Sequence, residues 1–181
     1  YYGHRDVRLL DGGAAAWAAA GGPSSSAITR VAATQYRIER THDEHRADLG
    51  FVAAAVARGD AALVDARAPE FHSGTSAGSR FGRDEPNARA GRIPGAVNFF
   101  WADHFDEDGT FRPAAELAAR YRALGITPDD TVVSYCHVGL QAATPWFVLT
   151  QLLGYPDVRL YDRSMAEWAN ADDLPVETGP D

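Results

Sequence analysis

The sequence predicts an α/β fold, an open parallel sheet with helices on both faces, and three observations lead there. Short apolar runs rich in β-branched residues alternate with helical patterns: AALVD ending at Asp65, AVNFF ending near Phe100, TVVSY ending at Tyr135 and VRLY ending at Tyr161. One of them, TVVSY, passes straight into a glycine-containing turn and an apolar helix, the junction that parallel βα units use. The 181 residues, 45% of them hydrophobic, suffice for one packed domain and a remainder.

That remainder lies at the start. DVRLLDGGAAAW, Asp6 to Trp17, matches DVRLYDRSMAEW, Asp157 to Trp168, without a gap at Asp6/Asp157, Val7/Val158, Arg8/Arg159, Leu9/Leu160, Asp11/Asp162, Ala15/Ala166 and Trp17/Trp168. A repeat held in one register reports one structural unit present twice. Val7 to Leu10 is therefore expected as a short buried strand and Ala14 to Ala20 as a helix. GGPSSS, Gly21 to Ser26, breaks both patterns with turn and linker residues and marks a domain boundary. A weak strand signal follows at Thr29 to Ala32 or Tyr36 to Ile38. Thr41 with Glu44 three positions on forms a capping box, so a helix is expected from about His42 to Ala57, ended by Gly59. Two further helices are expected at Pro113 to Leu124 and Ala142 to Leu153.

Between Arg67 and Arg92 runs a long glycine- and serine-containing loop. It holds Arg67, Arg80, Arg83, Arg89 and Arg92 against Glu70, Asp84 and Glu85. Loops of this length are uncommon unless functional or mobile. The arginines read either as a solvated surface or as a positive rim that draws in a small anion.

Composition narrows the function classes. A net charge of −8 and a pI near 5.2 oppose a general affinity for nucleic acid or acidic membranes. No apolar run approaches the roughly 18 residues of a membrane span. The chain opens on Tyr1 without the charged and apolar regions of a signal peptide, which suggests a truncated or processed start. The single cysteine, Cys136, has no internal disulfide partner and fits a reducing, cytoplasmic compartment. His42 and His45, spaced i, i+3, lack a third ligand of clear spacing, and capping explains them better than a metal does. Trp101 and Trp146 read as core or pocket-wall residues.

Cys136 carries the chemistry. It stands at the carboxyl end of a parallel strand, where such sheets bind ligands. A tight loop entering a helix turns backbone N–H groups toward one point and adds partial positive charge, favouring a thiolate or another anion. Pro145 is tolerated in the first helical turn. Two chemistries suit a lone thiolate in such a cradle: phosphoester hydrolysis through a phosphocysteine, and sulfur transfer through a persulfide. A phosphatase needs an arginine near the end of the loop to grip phosphate, and Gln141 and Ala142 stand there instead.

The chain resembles the rhodaneses, or sulfurtransferases, in their two-domain form. The resemblance is carried by LVDARAPEF with Asp65 and Arg67, GRIPGAVN from Gly91 to Asn98, DGTFRPAAELAARYRALGI, CHVGLQA and VRLYDRSMAEW. It implies a rhodanese-like fold in which Cys136 accepts the sulfur. The backbone of His137, Val138, Gly139, Leu140, Gln141 and Ala142 then cradles the persulfide. Arg67 is a candidate contact to the anionic donor, or else the partner of a domain carboxylate. Asp11, Gly12, Gly13 and Trp17 resemble the end of the inactive first domain of tandem members. The resemblance thus divides the chain into the tail of such a domain (1–22), a linker (23–27) and a catalytic domain (28–181), with a first domain missing.

The implied reaction takes sulfane sulfur from thiosulfate or 3-mercaptopyruvate to cyanide or a thiol, with no cofactor and no metal. HVGLQ matches neither the basic loops that resemble thiosulfate enzymes nor the small neutral loops that resemble mercaptopyruvate enzymes. His137 is expected either to carry partial charge near neutral pH or to be a spectator. Phe71 stands where some members carry a second arginine, and Arg163 and Met165 replace a glycine and a tryptophan. The rival readings are a sulfur-sensing or protein-binding module without turnover, and a phosphatase-like or arsenate-reducing relative.

Overall fold

The computed structural model describes residues 1–4, 6–78 and 85–180. Its sheet has four parallel strands, β1 Ala62–Asp65, β2 Val97–Asn98, β3 Val132–Tyr135 and β4 Val158–Leu160, in the order β2-β1-β3-β4. Asp65 lies opposite Asn98 on one side and Tyr135 on the other, while Ser134 faces Leu160. The helices are α1 Gly13–Ala19, α2 Leu49–Arg58, α3 Pro69–His72, α4 Ala114–Ala123, α5 Ala143–Phe147 and α6 Ser164–Trp168.

Strand alternation divides the core in two. Leu63, Val133 and Tyr135 pack with Val52 of α2 and with Met165 and Trp168 of α6. Val64 and Val132 pack with Leu117 and Tyr121 of α4 and with Val148 and Leu149 beyond α5. Both faces of the sheet are covered, as expected of a parallel sheet whose strands are apolar on each side.

Several boundaries differ from expectation. The helix expected from His42 begins at Leu49, and its cap is Asp48, whose carboxylate accepts from the Phe51 N–H at 2.8 Å. Thr41 and Glu44 cap nothing here. Arg46 and Ala47 run extended beside β4, with Ala47 N–H donating to the Leu160 carbonyl at 3.0 Å, and this sheet contact interrupts the helical pattern. Gly59 ends α2 in a left-handed conformation, as read from the sequence. Val7 to Leu10 forms no strand. Val7, Leu9 and Leu10 are exposed, because no sheet lies beside them to pair with. Neither Thr29 to Ala32 nor Tyr36 to Ile38 is a strand. The helix expected over Ala142 to Leu153 starts at Ala143 and widens into a π turn at Val148–Leu152. The short helix α3 interrupts what the sequence presents as one long loop.

Candidate active site

The sheet order sets the site. β3 lies between β1 and β4, so Cys136, just beyond β3, meets the segments that leave its two neighbours. It packs with Ala66, Ala142, Trp101 and Leu160 and is 1% exposed. Leu140, on the outside of the same loop, is 81% exposed.

The turn after β4 grips the start of the loop. The Cys136 N–H donates to Ser164 Oγ at 3.0 Å, and that hydroxyl donates to the Tyr161 carbonyl at 2.7 Å. The N–H groups of Met165 and Ala166 donate to the carbonyls of Cys136 and His137 at 3.1 and 3.0 Å. At the far end the Ser134 hydroxyl donates to the Ala142 carbonyl at 3.0 Å. Gly139 sits at φ 87°, and a Cβ there would lie 2.6 Å from the Asp162 carbonyl oxygen, so the loop's approach to that turn requires glycine.

With its ends fixed this way, the loop leaves six consecutive N–H groups, those of His137, Val138, Gly139, Leu140, Gln141 and Ala142, donating to no described residue. Of these residues Gly139 and Ala142 are buried, Leu140 is exposed and the other three are half-buried. Gln141 Oε1 is buried without a partner; as an acceptor it adds no donor to this run.

His137 is held edge-on against Phe71, ring centroids 4.6 Å apart. Gly78 lies over it, with room for no Cβ: one would stand 2.7 Å from His137 Cε1. Burial, and behind it the Arg67 charge, lower the His137 pKa below its ordinary value and so favour the neutral ring.

Arg67 is fully buried. Its Nε and Nη2 donate to the Asp65 carboxylate and Nη2 also to the Gly91 carbonyl, while Nη1 has no partner. His72 and the Tyr135 hydroxyl complete the shell of Asp65 at 3.1 Å each. Burial would raise the Asp65 pKa, but these hydrogen bonds and the Arg67 charge bring it down to about 2. The described arginines of the 67–92 segment form no positive rim. Arg89 turns in to the carbonyls of Trp168, Ala169, Ala171 and Leu174, and Arg92 is buried against Glu177 and the Gly179 carbonyl. Arg80, Arg83 and Asp84 lie outside the described residues.

His42, Glu44 and His45 bring potential ligand atoms within 4.8 Å of one another. Arg40 already sits on this group, 3.0 Å from His42 Nδ1 and 3.2 Å from the Glu44 carboxylate, and supplies the positive charge. Met165 is fully buried, and Arg163 is exposed beside Glu167.

Residues 49–171 match the rhodanese-like domain family. The chain belongs to that family. Among rhodanese-like relatives, a thiosulfate sulfurtransferase of Corynebacterium glutamicum is 42% identical over 180 residues, covering 98% of this chain and 59% of its own. The sulfur carrier protein TtuD of Thermus thermophilus is 39% identical over 182 residues, covering 99% and 64%. The chain thus spans about three fifths of these relatives' length. Among solved structures, EanB in complex with ergothioneine superposes with a TM-score of 0.88 at 27% identity, over 100% of this chain and 43% of EanB. EanB has also been solved with ergothioneine covalently linked to a persulfide cysteine, at a TM-score of 0.85 and 28% identity over the same shares.

Sequence reasoning named Cys136 and its loop but missed Ser134 and Ser164, which close it at either end. One signal for Ser164 was present: its counterpart in the N-terminal repeat is Gly13, a residue type that marks an unusual backbone.

Proposed function

We propose that the protein is a sulfurtransferase that carries sulfane sulfur as a persulfide on Cys136. The observation that carries this reading is the run of six N–H groups, from His137 to Ala142, that donate to no described residue and directly follow the buried thiol of Cys136. The Cys136 thiolate attacks the outer sulfur of a small anionic donor. With thiosulfate, an S–S bond forms to Cys136, the donor's S–S bond breaks, and sulfite leaves with the electron pair. With 3-mercaptopyruvate the C–S bond breaks and the carbon fragment leaves as an enolate that takes up a proton. A nucleophilic acceptor, cyanide or a thiol, then attacks the outer sulfur and returns the Cys136 thiolate.

The chain's own residues supply binding and charge stabilisation, without a cofactor in the proposal. Backbone N–H groups of residues 137–142 hold the terminal sulfur, whose negative charge develops as the donor leaves. Arg67 enters through Nη1, the guanidinium nitrogen left for an anion once Asp65 and Gly91 are satisfied. The names of the relatives, thiosulfate sulfurtransferase and sulfur carrier protein, support the same chemistry. The absence of arginine at Gln141 and Ala142 disfavours a phosphatase.

The same reading assigns 1–22 to the tail of a first rhodanese domain, 23–27 to a linker and 28–181 to the catalytic domain, with the first domain part of a longer parent chain. It is supported by the geometry of the repeat: Trp17 Nε1 donates to the Pro23 carbonyl at 2.9 Å, as Trp168 Nε1 does to the Pro175 carbonyl at 2.7 Å. The same proposal puts the protein in a reducing, cytoplasmic setting, which a lone unpaired thiol suits. No described helix is long and apolar enough to cross a membrane.

The test is intact-mass spectrometry after incubation with thiosulfate or 3-mercaptopyruvate, beside Cys136→Ser. The expected result is a gain of one sulfur atom in the wild type and none in the variant. No gain from either donor overturns the reading in favour of a binding module.

A further inference from the structure

We propose that Ser164 is a positioning residue for Cys136, holding an unfavourable backbone conformation in order to place its hydroxyl against the nucleophile's own N–H. The inference rests on the reading of Cys136 as the sulfur-accepting nucleophile and extends it to a residue outside the loop.

Among the described residues Ser164 is the one non-glycine with positive φ, at 51°. L-residues avoid this region because Cβ crowds the neighbouring carbonyl. The internal repeat offers a comparison at this one position, although its turn differs one residue earlier, where Gly12 is at φ 72° and Arg163 at φ −72°. Gly13 occupies the matching position of DVRLLDGG at φ 58°, where a glycine adopts the conformation without penalty. A turn alone is therefore better served by glycine, and a serine at 164 calls for an interaction that glycine cannot make.

That interaction is with the nucleophile. Ser164 is fully buried; its Oγ accepts from the Cys136 N–H and donates to the Tyr161 carbonyl. The adjacent Met165 N–H takes the Cys136 carbonyl. Both peptide groups flanking the thiol are thus fixed by one turn, and the loop beyond is left to direct its N–H groups at the sulfur. At Gly13 no cysteine strand lies beside the turn, and no hydroxyl is present.

The experiment compares wild type, Ser164→Gly and Ser164→Ala by thermal unfolding, by steady-state transfer from thiosulfate to cyanide, and by the rate of Cys136 alkylation with iodoacetamide at neutral pH. Ser164→Gly is expected to unfold close to the wild-type temperature, since relief of strain offsets the lost hydrogen bonds. Its kcat and alkylation rate fall about tenfold with KM nearly unchanged, the effect of about 1.4 kcal/mol at the reacting group. Ser164→Ala shows the same kinetic loss and a lower unfolding temperature, because it keeps the strained backbone without the hydroxyl. The proposal is overturned if Ser164→Gly matches wild type in kcat and alkylation, if its alkylation rises because the loop merely opens, or if it fails to fold. Alkylation requires no sulfur transfer. A wild type that gains no sulfur therefore defeats the functional reading, while the alkylation rates still decide the part played by Ser164.

Discussion

At Gly139 a single hydrogen atom decides whether the loop after β3 can approach the turn after β4. Its φ of 87° and the 2.6 Å approach of a notional Cβ to the Asp162 carbonyl mean that Gly139→Ala must push the loop off the β4–α6 turn. We expect the initial rate of persulfide formation, followed by mass spectrometry, to fall at least about tenfold while the fold is kept, with a stability loss of about 1–3 kcal/mol. Arg67 behaves differently. Arg67→Ala strands the Asp65 carboxylate in the interior, a change that costs about 3–5 kcal/mol, so the expected outcome in a denaturation curve is a fold at the edge of stability. Cys136 was legible because strand, glycine loop and helix follow one another in the sequence. The partners of Arg67 were legible only as alternatives, since Asp65 is two residues away but the Gly91 carbonyl arrives from another loop and the Tyr135 ring, 5.9 Å from the guanidinium, from another strand. The lowered pKa of His137 was not legible at all, because it depends on burial beside Phe71 and Gly78.

Elements obeyed their local signals except where the sheet demanded otherwise. The Thr41 and Glu44 capping pattern is sound chemistry in the wrong place: residues 46–47 are needed in extended form beside β4, and the helix restarts under Asp48. Asp48→Ala should therefore lower stability by about 1 kcal/mol, measured by urea unfolding, and Thr41→Ala should leave it within about 0.5 kcal/mol of wild type. The end of α6 carries a second long-range device. Arg89 gathers four carbonyls at and beyond its carboxyl end, of which that of Trp168 also accepts from the Ala171 N–H. Because the amino end of α6 holds the Cys136 and His137 carbonyls, Arg89→Ala should loosen both, seen as faster amide exchange at Met165 and Ala166. Val7 to Leu10 illustrates the converse: a strand pattern remains unformed when no neighbouring strand is present to accept its hydrogen bonds.

For the molecule as a whole, two deeply buried groups give acid sensitivity with separate windows, beside His45 and His137, whose pKa values burial also lowers. His104 is buried with its Nε2 against the Tyr121 hydroxyl at 2.7 Å, and burial depresses its pKa to about 4. A histidine with a depressed folded pKa takes up its proton more readily when unfolded, so stability falls as pH drops from about 6.5 to about 4, by up to about 3 kcal/mol. Asp65, held at about 2, contributes stability that is complete above about pH 4 and lost below it as the carboxylate protonates. Denaturant midpoints measured from pH 7 to pH 3 should fall in both windows, and His104→Gln should flatten the first while leaving the second. The sequence by itself determined the fold class, the internal repeat and the strand, glycine turn and helix around Cys136, because each is written in neighbouring residues or in a period along the chain. Only the tertiary structure decided where α2 begins, that Arg67, Arg89 and Arg92 turn inward, that burial lowers the His137 pKa and that Ser164 accepts from the Cys136 N–H. The physical reason is common to all four: they depend on hydrogen bonds, burial and charge contributed by segments far apart in the chain, which come together only when the sheet is assembled.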